Sequence, residues 1–362
     1  MWAYGRSMRY FLRHVGLVLL SLITACGQTE PLTAEQCLSV AVPPGSEGLI
    51  TGLPARISLF FSVDTCGGTP ISGLDATHFD ILEDGQPVSP FESERRIQPK
   101  GQKYRMSSIL LLDVSGSVLK SGQFPQLKSA AAAYLKRVLS GTEEGQRVAV
   151  MTFDGRENVQ LLIDFTNDSV AALAALDTLD VTECSVNADC AGFSDRRSCA
   201  GWRCVDNSTN LNGAVVQALD ALDSRAAQEK TIVWKDSALV LFTDGTDQAG
   251  RVQQFTAFER ARTTTSHVFA VGLGGEVEGS VLRALGKDGY WPASKAEELG
   301  DAFAAIASKV TGLANRFYLL EYCSPKRSGT HTLKVVATDG ALIGGLSRTF
   351  DATGFTSGCQ LE

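Results

Sequence analysis

Ser107-Ser108-Ile109-Leu110-Leu111-Leu112-Asp113-Val114-Ser115-Gly116-Ser117 is the stretch that decides the fold of this chain. It runs apolar without alternation and then stops on Asp-x-Ser-x-Ser. Such a run fits a central parallel strand covered on both faces. In sheets of that kind, ligand sites lie beyond the carboxyl ends of the strands, where this polar cluster falls. One carboxylate and two hydroxyls on a Gly-containing turn offer only oxygen, the donor that hard cations such as Mg2+ prefer. The pattern predicts a metal-dependent binding site rather than an active-site nucleophile.

Two later segments extend it. Asn207-Ser208-Thr209-Asn210-Leu211-Asn212-Gly213-Ala214 leads into a helical pattern of Val215, Val216, Leu219 and Leu222, and places Thr209 at the helix start, where a hydroxyl residue is favoured. Ser237-Ala238-Leu239-Val240-Leu241-Phe242-Thr243-Asp244-Gly245 is a second apolar strand that delivers a carboxylate at its end. Alone, Asp-x-Ser-x-Ser reads as a turn closed by local Asx and Ser hydrogen bonds. The three segments together resemble the von Willebrand factor type A domain, with Asp113, Ser115, Ser117, Thr209 and Asp244 matching its metal-ion-dependent adhesion site in order.

That resemblance implies a Rossmann-like, doubly wound α/β fold with a mainly parallel central sheet. It also implies a bound Mg2+ (or Mn2+). In the family the serines and threonine touch the metal directly, and the aspartates act largely through water. One coordination position stays open for the acidic side chain of a protein partner, so cation and ligand support each other's binding.

The chain between these segments alternates helix and strand, as that fold requires. Helices are expected at 126–139, 169–179, 252–264, 279–285 and 296–313, and strands at 147–153, 158–165 and 267–271. The domain is placed at 106–313, an ordinary length for one α/β domain carrying an insertion.

At the N-terminus, Arg6, Arg9 and Arg13 precede an apolar core from Val15 to Ala25, followed by Cys26. The core is too short to span a bilayer and reads as a secretory signal over 1–25. Met8 also begins a complete signal. Ile23-Thr24-Ala25-Cys26 resembles a bacterial lipobox, which implies lipidation of Cys26; a cleaved signal with an unlipidated cysteine is the alternative. Gly27 in place of Asp implies, by the same resemblance, the outer membrane of a Gram-negative cell. Residues 26–36 form the lipidated Cys and a polar tether.

The chain has nine Cys, so setting Cys26 aside leaves eight, an even number suited to disulfides in an oxidising compartment. Cys184, Cys190, Cys199 and Cys204 crowd into a polar insert at 182–206 that resembles small Cys-rich inserts of secreted bacterial proteins. Two bridges with three possible connectivities, or a zinc knot, are the readings; the absence of a Cys-x-x-Cys pair argues against zinc. The insert runs into Thr209, so it sits at the rim of the metal face, either as a selectivity loop or as a tolerated surface insertion.

Both flanks, 37–105 and 314–362, look β-rich. Strands are expected at 56–63, 79–83, 317–323 and 330–337, with Asp84-Gly85 a hairpin signal. The segment 74–85 resembles the leader found before some bacterial type A domains. Neither flank has strands enough for a sandwich alone. They are expected to combine into one small sandwich stapled by Cys37–Cys66 and Cys323–Cys359, separate hairpins being the alternative.

Lys+Arg 33 against Asp+Glu 40 makes the precursor acidic. Loss of Arg6, Arg9 and Arg13 leaves 33 less three against 40, a net charge of −10. No basic patch indicates a nucleic-acid partner. Gly272-Leu273-Gly274-Gly275 lacks the rest of a dinucleotide fingerprint and reads as a turn. The four His (His14, His78, His267, His331) are isolated, no Gly-x-Ser-x-Gly elbow is present, and Asp247 is the one candidate base near Asp244, itself better read as a turn residue. The expectation is therefore a non-enzymatic, lipid-anchored envelope protein that binds a protein ligand. The alternative is a structural or assembly protein whose metal only stabilises the fold.

Overall fold

The computed structural model describes residues 37–43, 48–89, 95–99, 104–140, 145–232, 234–274 and 278–361. The signal, Met8, Cys26 and the tether lie outside the described residues.

In chain order the first flank contains β1 (Leu38–Ala41), β2 (Leu49–Gly52), β3 (Arg56–Thr65), β4 (Phe79–Glu83), β5 (Gln86–Pro87) and β6 (Arg95–Pro99). The middle begins with β7 (Tyr104–Asp113), α1 (Gly116–Lys120), α2 (Phe124–Val138), β8 (Gln146–Phe153), β9 (Gln160–Thr166) and α3 (Ser169–Asp177). It continues through β10 (Ser198–Ala200), β11 (Arg203–Val205), α4 (Leu211–Gln228), β12 (Trp234–Thr243) and α5 (Gln254–Thr263). It closes with β13 (His267–Leu273), α6 (Gly279–Leu285), β14 (Gly289–Ala293) and α7 (Leu299–Asn315). The second flank adds β15 (Phe317–Cys323), β16 (Thr330–Asp339) and β17 (Leu342–Asp351).

The middle folds into a six-stranded sheet of order β14-β13-β12-β7-β8-β9, parallel except for β9 at its edge. Its strands read as unbroken apolar runs because both faces are covered. Leu110, Leu112, Val240 and Phe242 pack toward α2 and α7. The alternate residues Ile109, Leu111, Leu239 and Leu241 pack toward α4, α5 and α6. From β7 the chain leaves to one face through α2, and from β12 to the other through α5. The crevice between these neighbouring strand ends is the switch point where such sheets bind ligands.

Each sheet of the sandwich draws strands from both flanks. In one, β15 pairs antiparallel with β3 and β6, while β1 and β2 line the far edge of β3; in the other, β16 lies between β17 and β4. Ile57, Phe61, Phe79, Tyr318 and Val335 fill the space between them. Phe60 points out of the opposite face of β3. It stacks on Trp234 with ring centroids 3.8 Å apart, which joins the sandwich to the base of the α/β unit.

Four disulfides are present: Cys37–Cys66, Cys184–Cys199, Cys190–Cys204 and Cys323–Cys359. The Sγ atoms of Cys184, Cys190 and Cys204 crowd together, but each is oxidised. Without thiolates they are not zinc ligands, so the zinc reading falls.

Candidate metal centre

Parallel pairing of β7 with β12 sets Leu112 opposite Phe242, so Asp113 and Thr243 leave the sheet side by side. The Asp113 carboxylate is fully buried. Its Oδ1 accepts a bond of 2.8 Å from the Ser115 N–H, and its Oδ2 one of 2.6 Å from the Thr243 hydroxyl. Ser115 is the N-cap of α1 but makes no side-chain capping bond, which leaves its Oγ 3.1 Å from Ser117 Oγ. The Ser117 hydroxyl in turn donates to Asp244 Oδ1 at 2.8 Å.

Thr209 is buried beside the turn that follows β12: a Cβ on Gly245 would stand 4.0 Å from its Oγ1. Its carbonyl accepts the N–H groups of Gln248 and Ala249. Here the structure corrects the sequence reading. Thr209 does not cap α4. Asn210 does, accepting from the Gly213 N–H, because the chain enters the helix one residue later than the hydroxyl suggested. Thr209 is thereby relieved of capping and faces the turn. Asp247 does hold a turn, accepting from the N–H groups of Asn212 and Gly250.

Burial pushes the Asp113 carboxyl up to about 7, the Thr243 bond opposes this, and the nearby Asp244 charge raises it further. A carboxylate held here by neutral donors only, beside a second carboxylate and three hydroxyls, has the donor chemistry of a hard divalent cation. The residues fit such an ion.

Two elements that the sequence reading did not assign to the site, the end of β8 and the Asn210 cap, position it. The apolar strand β8 also ends on a carboxylate, Asp154, and that repeat of the pattern of β7 and β12 was a usable signal. Asp154 is buried: Oδ1 accepts from Arg156 N and Nε, Oδ2 from Asp206 N, and its carbonyl from Asn210 N. The Asn210 amide reaches back to the carbonyls of Arg156 and Glu157. The loop that carries Thr209 is thus tied to the end of β8. The Cys-rich insert, expected at the rim of this face, packs on α1, with Ala200 and Val205 against Leu119. Asn207 bridges Lys120 Nζ and Ser198 Oγ at 3.0 and 2.7 Å. Its approach requires a glycine at 116, where a Cβ would meet Asn207 Oδ1 at 2.3 Å.

Residues 108–246 match the family model of the von Willebrand factor type A domain. The matched segment lies within the α/β unit. Type A domains are typically interaction modules rather than enzymes. His267 opens β13, at the end of the sheet opposite Asp113, and His78 and His331 lie in the sandwich. None of the curated proteins matches the chain. Among solved structures, a type A protein from Catenulispora acidiphila is 12% identical with a TM-score of 0.42, covering 89% of this chain and 74% of that one. Proximal thread matrix protein 1 from the mussel byssus, with a zinc-occupied adhesion site, is 14% identical with a TM-score of 0.42. That match covers 58% of this chain, which spans about half of the mussel protein (48%). The manganese-loaded TRAP protein of Plasmodium vivax is 12% identical with a TM-score of 0.43, covering 72% of this chain and 98% of that one.

Proposed function

We propose that this chain is a lipid-anchored protein of the cell envelope, on the outer membrane of a Gram-negative cell. It would hold an acidic side chain of a protein partner through Mg2+ (or Mn2+) at the end of β7 and β12. The observation that carries the metal reading is the buried Asp113 carboxylate, bonded to the neutral donors of Ser115 and Thr243 and facing Asp244. Ser115, Ser117, Thr209, Asp113 and Asp244 would hold the cation. When bound, it would supply positive charge that offsets the two carboxylates and leaves a position for a carboxylate from outside.

Calorimetric titration of Mg2+ and Mn2+ into the chain from Thr29 onward tests this. Saturable binding is expected, and its loss in the Asp113→Ala/Asp244→Ala protein. Equal heats for the two proteins would sink the metal assignment.

A further inference from the structure

The residues of the metal face are held in two ways. Asp113 ends β7 and Asp244 follows β12, so sheet pairing fixes where both carboxylates leave the chain. The hydroxyls have no such frame. Ser115 caps α1 and Ser117 lies in its first turn, on a helix of five residues, while Thr209 sits in the loop before α4. A helix that short does not stand on its own hydrogen bonds. Asn207 spans the two hydroxyl segments. It precedes Thr209 by two residues and lies against Gly116, between Ser115 and Ser117, where a Cβ would meet its Oδ1 at 2.3 Å. The same Oδ1 accepts from Lys120 Nζ, at the last residue of α1, at 3.0 Å. On the Thr209 side, the Asp206 carboxylate accepts both the N–H and the hydroxyl of Ser208, which closes the turn around Asn207. Behind it, Asn207 Nδ2 donates to Ser198 Oγ at 2.7 Å. Ser198 opens β10 opposite Val205, and the next pair of that hairpin is Cys199 opposite Cys204, each bonded to a further cysteine of the insert.

We propose that Asn207 is a positioning residue that sets the spacing of Thr209 from Ser115 and Ser117, and that the Cys-rich insert is the frame that presents it. The insert then tunes affinity for the cation from behind the hydroxyl ligands. The inference rests on the metal reading proposed above. Asn207 is exposed, and the hydrogen bonds of an exposed amide contribute little by themselves. Here they act on groups that are already ordered, because two disulfides clamp the hairpin on one side and Asp206 holds the turn on the other. A support fixed in advance loses little entropy when the ligands take up their geometry.

Calorimetric titration of Mg2+ into the full chain and three variants tests this. Asn207→Ala should bind Mg2+ about tenfold more weakly, the lower end of what losing support behind metal ligands costs. Gly116→Ala improves helix propensity, yet it should also weaken Mg2+ binding, because its methyl group displaces Asn207. The double variant should bind about as well as Asn207→Ala, since the methyl group then has no amide to displace; independent roles would give additive losses. Hydrogen exchange of the metal-free protein supplies a second readout. The Leu119 and Ser121 amides close α1 on the carbonyls of Ser115 and Ser117, and both should exchange faster in Asn207→Ala. Native Mg2+ affinity in Asn207→Ala, additive losses in the double variant, or unchanged exchange overturns the inference and leaves the metal reading standing. Absence of Mg2+ binding by the native chain overturns both.

Discussion

One strand, β12, carries an aspartate near each end, and the two ends treat carboxylates differently. At the base, Asp236 lies 3.8 Å from Arg316 and 3.7 Å from His267, while Arg316 also holds Asp64 of the sandwich at 3.1 Å. Burial raises Asp236 and Asp64, and Arg316 and His267 oppose that shift without reversing it. At the top, Asp113 is buried more completely and meets the neutral donors of Ser115 and Thr243, with Asp244 adding to its upward shift. Buried carboxylates matched by the chain's own cations are structure. A buried carboxylate matched only by neutral donors is prepared for a cation from outside.

The largest break of this comparison is Arg316→Met. It strands Asp64 and Asp236 at the junction, so stability in urea unfolding should fall by about 3 kcal/mol, and Mg2+ should not restore it. Unchanged unfolding would show that the base does not depend on its cation. Next comes Asp113→Asn, expected to weaken Mg2+ binding by about a hundredfold, or about 2.7 kcal/mol. Without metal this variant should melt no lower than the native chain, since it removes a buried charge; a lower melting temperature would contradict the contrast. A smaller effect on metal affinity is expected from Asp154→Asn, which loosens the ties to Arg156 and to the Asp206 N–H. Loss of such support under a metal ligand costs about tenfold in affinity, read by the same titration at a temperature below the variant's own metal-free melt, which the broken Arg156 pair lowers.

The smallest effect lies in the sandwich, where Asp84 accepts from Thr332 N, His331 Nδ1 and Lys326 Nζ. The Thr332 and His331 bonds hold the Asp84 carboxyl below its ordinary 3.8, and the Asp84 bond raises His331 above 6.5. The His331 contribution is complete below 6.5 and is lost as pH rises through its elevated value. The Asp84 contribution is complete above 3.8 and is lost as pH falls through its depressed value. The melting temperature gap between the native chain and Asp84→Asn should therefore be widest between about pH 4 and 6.5. A gap independent of pH would remove this ion pair from the stability of the sandwich.

What the sequence made legible follows from where burial leaves a local trace. The runs in β7, β8 and β12 are apolar because helices cover both faces, and the carboxylate at each end marks the site. β6 is Arg95-Arg96-Ile97-Gln98-Pro99, with a single aliphatic residue before its proline; its strand character comes from β15, more than two hundred residues away. β14 carries Gly289 and Pro292, and β17 carries Gly344, where the Leu38 carbonyl would lie 2.0 Å from a Cβ. That close approach explains the glycine but is invisible from neighbouring residues. The joining of the two flanks was likewise open in sequence, since pairing across such separation has no local periodicity. At the site, the Asn210 cap was masked by Thr209, because either residue satisfies the helix-start preference and only the backbone geometry chooses.

The Cys37–Cys66 bond has a mechanical consequence. β1 is a four-residue strand at the edge of its sheet, paired with β3 from Leu38 opposite Thr65 to Ala41 opposite Ser62. Tension on the chain that precedes Cys37 would ordinarily peel such a strand away one pair at a time. The disulfide instead hands the pull to Cys66, one residue beyond β3, so the force enters an interior strand held on both sides. Pulling on the reduced and oxidised protein should therefore find two different first points of rupture.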